Sequence, residues 1–357
     1  MTASDVPPSA PATAHAAPEL NAAHIRPPTR QRPTISFELM PPRNPAAAPK
    51  FWGTVERLIA ARPDFVSVTY GAAGGDRDTA RTVISRILEH APVLPIAHLT
   101  CVGASRDNVA EVIDEFLAEG VRSFLALRGD PPRDQPDWRP HPDGVHSSDE
   151  LVALLREVEA TRCASNPSTA LRSAARPLTI AVATFPDGNL AAGTTRTQEV
   201  QRLLEKQQAG ANFAITQLFY EASTYIDFVT EARAAGVTIP ILAGLLPMTD
   251  PSRLARVESL TGVPAPSALV RELEALDDPA ARHALGIRAS VELANAVLAA
   301  GAPGLHIYTF NKHEAALDLL EGVHLGGEPV HPGFSGTGSD LASGPWVGAS
   351  PIPAVLT

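Results

Sequence analysis

A single glutamate between apolar residues is the clearest candidate for acid–base chemistry in this sequence. Glu38 lies near the end of the apolar run 34–40, and Pro41, Pro42 and Arg43 follow it. A carboxylate among apolar neighbours is poorly hydrated, which raises its pKa and suits it to act as a general acid. A salt bridge between Glu38 and Arg43 explains the same pattern equally well.

A second carboxylate, Asp130, follows Arg128 and Gly129 directly after another apolar run and precedes two prolines. This position is also typical of a structural turn aspartate. His98 has an apolar residue on each side, so a core histidine is its simplest interpretation, and Gln217 ends an apolar run as a structural amide would. Residue type alone leaves all these alternatives open.

Several function classes find no support in the sequence. The candidate residues include no His/Asp/Glu cluster with zinc geometry, so we predict no metal. No G-x-S-x-G elbow, phosphate-binding P-loop or G-x-G-x-x-G fingerprint follows a predicted strand. The net charge of −10, without clustered Lys and Arg, argues against nucleic-acid and membrane partners. Two cysteines without metal spacing and no signal-peptide pattern favour a cytoplasmic location.

The candidate side chains stand at the ends of short apolar runs that alternate with amphipathic helical segments. Continuous apolar runs are typical of parallel strands covered on both faces. Eight strand–helix units in series predict an α/β fold, a single (β/α)8 TIM barrel, with an open doubly wound sheet as the alternative. In such a barrel the active site lies at the carboxyl ends of the strands. The runs are 34–40, 65–70, 96–101, 123–128, 178–185, 213–219, 239–246 and 305–310.

The catalytic barrel is predicted over 33–325. The Pro/Ala-rich tail 1–32 and the Gly/Pro/Ser-rich tail 326–357 cannot bury enough apolar surface to offset their ordering entropy, so both are expected to be disordered. A further stretch, 162–177, is expected to be an irregular surface insertion. The seventh crossover, 251–301, is long enough for two or three helices.

Six motifs lie at or next to the predicted strands. They are ISFELMPPR at 35–43, FVSVTYGA at 65–72, AHLTC at 97–101, LALRGDP at 125–131, AGANFAITQLF at 209–219 and GLHIYTFNK at 304–312. In register, they resemble the motifs of the bacterial FAD-dependent 5,10-methylenetetrahydrofolate reductase family, whose opening strand reads SFEFFPPR. The resemblance covers roughly 32–325 and implies a (β/α)8 barrel that holds non-covalent FAD at the carboxyl ends of its strands.

The resemblance also implies a ping-pong reaction. NADH or NADPH reduces the flavin and leaves, and methylenetetrahydrofolate then takes the same site and is reduced to 5-methyltetrahydrofolate. Glu38 is expected to protonate folate N10 as the five-membered ring opens, and Asp130 to tune the flavin and bind the folate. Gln217 is expected to contact folate and nicotinamide. Lys312, where the family usually has Arg, is expected to contact folate. The positions expected to line the FAD are Thr69, Tyr70, Ala72, His98, Arg128, Gly129, Asp130, Phe185, Asn189 and Lys206, with Arg128 and Lys206 at the diphosphate.

Two departures from the family pattern concern the cofactor. Asn189 stands where the family has a histidine against FAD, and Ser147-Ser148 replace a Tyr-Ala pair beside the adenine half. An asparagine donates a hydrogen bond but carries no charge. The alternatives are a folate-binding barrel with another electron donor, such as a ferredoxin-like partner, and a folate-linked methyltransferase or non-catalytic binding barrel. The choice between NADH and NADPH stays open, as does a homo-oligomer.

Overall fold

The computed structural model describes residues 32–70, 77–131 and 137–325, which form a closed barrel of eight parallel strands in sequence order. Strand β1 pairs with both β2 and β8, so the sheet is closed and the predicted (β/α)8 barrel is confirmed. Every strand overlaps one of the eight predicted runs. The strands are β1 Thr34–Leu39, β2 Phe65–Val68, β3 Leu94–Thr100, β4 Ser123–Leu127, β5 Thr179–Thr184, β6 Phe213–Thr216, β7 Ile241–Leu245 and β8 Gly304–Tyr308.

Helices cover the outside of the barrel, and polar caps define where many of them begin. Ser147 accepts a hydrogen bond from the backbone of Glu150, and Thr195 forms a reciprocal capping box with Gln198. The seventh crossover carries three helices, as its length allowed. The helices are α1 Ala48–Ala60, α2 Arg77–His90, α3 Arg106–Ala118, α4 Ser148–Ser165, α5 Pro167–Ala175, α6 Arg196–Gln208, α7 Ala222–Ala234, α8 Pro251–Thr261, α9 Ser267–Glu274, α10 Pro279–Ala299 and α11 His313–Gly322.

The stretch 162–177 is helical, so the prediction of an irregular insertion was wrong. Helix α4 continues to Ser165, and α5 begins at Pro167 because the Asn166 side chain accepts hydrogen bonds from the backbone of Ser168 and Thr169. An asparagine cap followed by proline is a helix-start signal that the sequence contained. Helix α5 does lie on the surface, with Leu171 74% exposed.

The predicted tails fall almost wholly outside the described residues, at 1–31 and 326–357. Arg32 belongs to the barrel, because its guanidinium pairs with Asp64 at 3.3 Å. Within the described part of the chain, no helix combines the length and apolar character needed to cross a membrane.

The interior of the barrel is a packed apolar layer distinct from the larger core between strands and helices. Alternate residues of each strand point inward, and this layer closes the barrel beneath the carboxyl ends of the strands. We call the open end above it the mouth. The layer consists of Phe65, Ile96, Leu125, Ala181, Ile215 and Leu242.

Candidate active site

The mouth receives the carboxyl end of every strand, because all eight run parallel. Glu38 near the end of β1 and Asp130 just after β4 therefore belong to the same end of the barrel. The two carboxylates that the sequence singled out are thus both available to one ligand. A barrel with these residues at opposite ends would have excluded a shared role.

Glu38 is a largely buried carboxyl that points into the mouth from β1. Its side chain is 19% exposed, and burial raises the pKa to about 7. The contact within the described residues is with His98 of β3, whose Nε2 lies 3.8 Å from Oε2. Arg43 is exposed and forms no ion pair with Glu38. The general-acid interpretation therefore fits the geometry better than the rim salt bridge.

His98 is held neutral beside this carboxyl. Its side chain is 7% exposed, and burial lowers its pKa to about 3. Its Nε2 is buried and has no hydrogen-bond partner among the described residues. A buried nitrogen without a partner is costly, so His98 has spare hydrogen-bonding capacity facing the mouth.

A second buried histidine, His306 of β8, forms a polar cluster with Ser36 and Ser67 below Glu38. Its Nδ1 lies 2.8 Å from the Ser36 hydroxyl, and its Nε2 lies 3.5 Å from the Ser67 hydroxyl. Burial lowers the pKa of His306 to about 3, with a smaller contribution from His98. This histidine is satisfied by the two serines, so it is part of the core.

The turn after β4 presents Arg128 and Asp130 as exposed side chains at the mouth. Gly129 between them has a φ of +86°, and a Cβ there would lie 2.6 Å from Val102 Cγ1. The Arg128 carbonyl accepts a hydrogen bond from the Val102 backbone at 2.9 Å, which fixes the turn. Only glycine fits both the backbone conformation and the space.

Tyr70 and Ala72 follow β2 and have different outcomes. The Tyr70 ring is 3% exposed and packs against Phe116 at 5.5 Å between ring centroids, so it is a core side chain. Thr69 is half-buried, and its backbone N–H donates to the Leu39 carbonyl. Ala72 lies outside the described residues.

Two predicted FAD contacts beyond β5 are engaged within the protein. The Asn189 side chain accepts from Ala192 N at 3.2 Å and caps a short 3-10 turn, Leu190–Ala192. Lys206 is buried on α6, where its ammonium donates to the Ala183 carbonyl at 2.9 Å and burial lowers its pKa. Phe185, at the end of β5, is half-buried.

The predicted folate contacts lie after β6 and β8. Gln217 is half-buried, and its side-chain oxygen accepts from Leu218 N at 2.9 Å, which leaves its amide NH2 available. Lys312 is exposed at the start of α11. No group of three or more His, Cys, Asp or Glu side chains within the described ranges is arranged to hold a metal ion.

Sequence reasoning missed Tyr308, which forms part of the floor of the mouth. Its hydroxyl donates to the Thr216 carbonyl at 2.7 Å, so the side chain spans from β8 to β6 across β7. Gly244 of β7 makes room for it, because a Cβ there would lie 2.8 Å from Tyr308 Cε2. Burial and the nearby Glu38 both raise the pKa of Tyr308. The inward alternation of β8 was the signal that pointed to it.

Comparison with known proteins shows a consistent family likeness. A family model described as methylenetetrahydrofolate reductase matches residues 23–324. A 5,10-methylenetetrahydrofolate reductase of Pectobacterium carotovorum subsp. carotovorum is 32% identical over 79% of this chain and 87% of its own length. Methylenetetrahydrofolate reductase (NADH) 1 of Arabidopsis thaliana is 28% identical over 82% of this chain and 48% of its own length.

Among solved structures, a Clostridium thermocellum protein described as binding two copies of 5-methyl-5,6,7,8-tetrahydrofolic acid has a similar fold. Its TM-score is 0.54 at 16% identity, and the match covers 82% of this chain and 96% of that protein. At this identity the likeness concerns the fold.

Proposed function

This chain belongs to the methylenetetrahydrofolate reductase family, and we propose that it reduces 5,10-methylenetetrahydrofolate to 5-methyltetrahydrofolate with FAD as cofactor and NADH or NADPH as electron donor, in a ping-pong sequence. The observation that carries the proposal is Glu38: a carboxyl at the mouth whose pKa, raised to about 7 by burial, keeps a substantial protonated fraction at neutral pH. FAD, when bound, would supply hydride transfer between the nicotinamide and the folate.

The residues of the mouth can divide this reaction between them. The Glu38 carboxyl donates its proton to folate N10, the bond between N10 and the bridging methylene carbon breaks, and an iminium forms at N5. That carbon then accepts hydride. Glu38, left as a carboxylate, regains a proton through its exposed face. Because His98 at 3.8 Å is neutral, it adds no positive charge that would stabilise the Glu38 carboxylate before the proton is transferred to folate.

Substrate positioning falls to the polar groups around Glu38. The free amide NH2 of Gln217 donates hydrogen bonds to folate and to nicotinamide in turn, which suits a site that both substrates occupy. Lys312 supplies a point charge for folate where the family usually offers the bidentate fork of arginine. Asp130 binds the pterin and makes the anionic reduced flavin less favourable.

The mouth has features that fit a flavin. His98 offers a buried ring nitrogen in need of a partner, and the exposed Arg128 offers charge-assisted hydrogen bonds to a diphosphate. Gly129 lets the Arg128–Asp130 backbone make its turn at the mouth. Lys206 is buried, and its ammonium is held on the Ala183 carbonyl, so we assign the main diphosphate contact to the exposed Arg128. The Asn189 side chain uses only its oxygen in the cap, so its amide NH2 is free to donate to FAD.

An anaerobic titration tests the proposal in two steps. The purified protein should show a flavin spectrum, bleach with NADH or NADPH, and regain its colour when methylenetetrahydrofolate is added. Glu38→Gln should leave the bleaching step intact and abolish recolouring, because only the folate step needs the acid. A colourless protein that binds no added FAD overturns the cofactor assignment. Bleaching by reduced ferredoxin alone moves the donor to that class, and recolouring by Glu38→Gln overturns the role of Glu38.

A further inference from the structure

The turn between β8 and α11 contains two consecutive residues in the left-handed backbone region. Phe310 has a φ of 47° and Asn311 a φ of 57°. Such a conformation is tolerated by asparagine but is unusual for a bulky residue such as phenylalanine. Strained residues of this kind persist where the surrounding structure imposes them, and they concentrate at functional sites.

The turn is fastened to the end of β1 by hydrogen bonds to the Glu38–Met40 backbone. The Asn311 side chain accepts from Met40 N at 3.0 Å and donates to Met40 O at 2.6 Å. The Thr309 hydroxyl donates to the Glu38 carbonyl at 2.7 Å and accepts from Asn311 N at 3.1 Å. The left-handed turn thus places one side-chain amide against both polar groups of a single residue.

Strand β1 needs this support because its regular pairing with β8 ends at Glu38 and Tyr308. Met40 is followed by Pro41 and Pro42, which have no backbone N–H to donate. The Met40 N–H is therefore the last backbone donor available before the chain leaves the barrel. The Asn311 side-chain oxygen accepts a hydrogen bond from this N–H, as a backbone carbonyl would if β8 continued.

We propose that Asn311 is a positioning residue for Glu38: by clamping Met40, it holds the end of β1 in the conformation that points the Glu38 carboxyl into the mouth. The clamp acts at a distance of two residues and does not touch substrate. Its catalytic consequence rests on the proposed role of Glu38 as the acid. Its structural consequence, the burial of the Glu38 carboxyl, is independent of that role.

Asn311→Gly tests the clamp, because glycine accepts the left-handed backbone and removes only the two side-chain bonds. In stopped-flow measurements, we expect reoxidation by methylenetetrahydrofolate to slow by about 100-fold, since a displacement of about 1 Å at a reacting group can cost that much. Reduction by NADH should change far less. Asn212→Gly is the matched control, because Asn212 clamps Ile180 through a 2.8 Å bond at the opposite end of the barrel. It should affect both steps equally.

A second measurement needs neither cofactor nor substrate. In an otherwise wild-type chain, Glu38→Gln should increase the equilibrium constant for folding more at pH 8 than at pH 5, because ionisation of the buried Glu38 carboxyl opposes folding. The pH-dependent gain is the ratio of the increase at pH 8 to the increase at pH 5. In the Asn311→Gly background we expect this ratio to be smaller by about tenfold or more, which corresponds to a fall of one unit in the pKa of Glu38. The ionisable neighbours that share this environment are His98 of β3 and Tyr308 of β8.

The two measurements separate the clamp from the acid assignment. If Glu38→Gln leaves folate turnover intact, the proposed acid role fails, and the folding measurement still decides the clamp. If Asn311→Gly slows both steps equally and leaves the pH-dependent gain unchanged, Asn311 only stabilises the fold. Should Asn311→Gly not fold, Asn311→Asp, which keeps the acceptor for Met40 N and loses the donor to Met40 O, takes its place in the stopped-flow measurement: a selective slowing of reoxidation supports the clamp, and an equal slowing of both steps overturns it.

Discussion

Replacing Glu38 with glutamine should stabilise this protein at neutral and higher pH. Below pH 4.5 the carboxyl is protonated in both the folded and unfolded chain, so its ionisation does not affect folding. Between pH 4.5 and about 7 the unfolded chain releases the proton while the folded protein retains it. Stability is therefore lost as pH rises through this window, which is the opposite of the usual contribution of a paired carboxylate.

The size of this effect follows from the pKa in the folded protein. Raising it from 4.5 to about 7 corresponds to roughly 3–4 kcal/mol at about 1.4 kcal/mol per pH unit. Water reaches the 19% of the side chain that is exposed, so a gain of roughly 2–3 kcal/mol is expected for Glu38→Gln above pH 7. His98 and His306, buried and neutral, make wild-type stability fall in the opposite direction, toward acid, so only the difference between the two proteins isolates Glu38.

Urea unfolding of both proteins between pH 4.5 and 8 measures this difference. The stability gained by Glu38→Gln should grow from pH 4.5 to about 7 and then remain constant. Glu157→Gln is the control, because this carboxylate is 61% exposed and pairs with Arg106 at the surface. A gain from Glu38→Gln that stays constant between pH 5 and 8 would refute the raised pKa and with it the argument for an acid ready at neutral pH.

Three further substitutions test other parts of the mouth. Gly129→Ala should cost about 1–3 kcal/mol, measured by urea unfolding, because it combines a φ of +86° with a clash against Val102; a wild-type midpoint would contradict this. Tyr308→Phe should cost about 1 kcal/mol by the same method, since it leaves the Thr216 carbonyl without its partner; no loss would mean that water replaces the hydroxyl. Asn189→His should bind FAD several-fold more tightly in a fluorescence titration, while losing about 1 kcal/mol of stability with its cap; unchanged affinity would show that position 189 does not meet the cofactor.

The barrel could be predicted from the sequence because each strand is a continuous apolar run. A strand covered on both faces needs such a run, and eight of them in series with helical segments between leave few topologies. The failure at 162–177 has a specific cause. Helix α5 buries none of its residues, so no packed apolar face required a helix there, and the helix-start signal was the cap at Asn166 and Pro167.

The site was predictable where the alternation of side chains along a strand alone decides the direction of a side chain. Glu38 faces inward because Ser36 does, two residues earlier on the same strand. This alternation did not reveal that Tyr70, just beyond β2, packs into the core against Phe116. Nor could it reveal that Lys206 donates to the Ala183 carbonyl, since that contact depends on how α6 lies against β5. Side chains on loops and helices depend on packing, which a single sequence does not specify.

The pair formed by Glu38 and His98 raises a question that decides whether the site holds an acid at all. One proton shared by this pair gives either a carboxylic acid beside a neutral imidazole or a carboxylate beside an imidazolium. The second state separates two charges in a buried site at 3.8 Å, without the close, fully hydrogen-bonded geometry that offsets their desolvation. The neutral state is therefore favoured, and burial alone, without His98, raises the pKa of Glu38.

His98→Gln distinguishes the two states. If the pair is neutral, the pKa of Glu38, obtained from the pH dependence of the stability gained by Glu38→Gln, should be the same in the His98→Gln background as in wild type. If the pair is an ion pair, removing the imidazolium should raise that pKa by one unit or more, because a neighbouring positive charge would have been holding it down. The ion-pair result would leave a carboxylate without a proton to give to folate N10, and the acid would have to be sought elsewhere at the mouth.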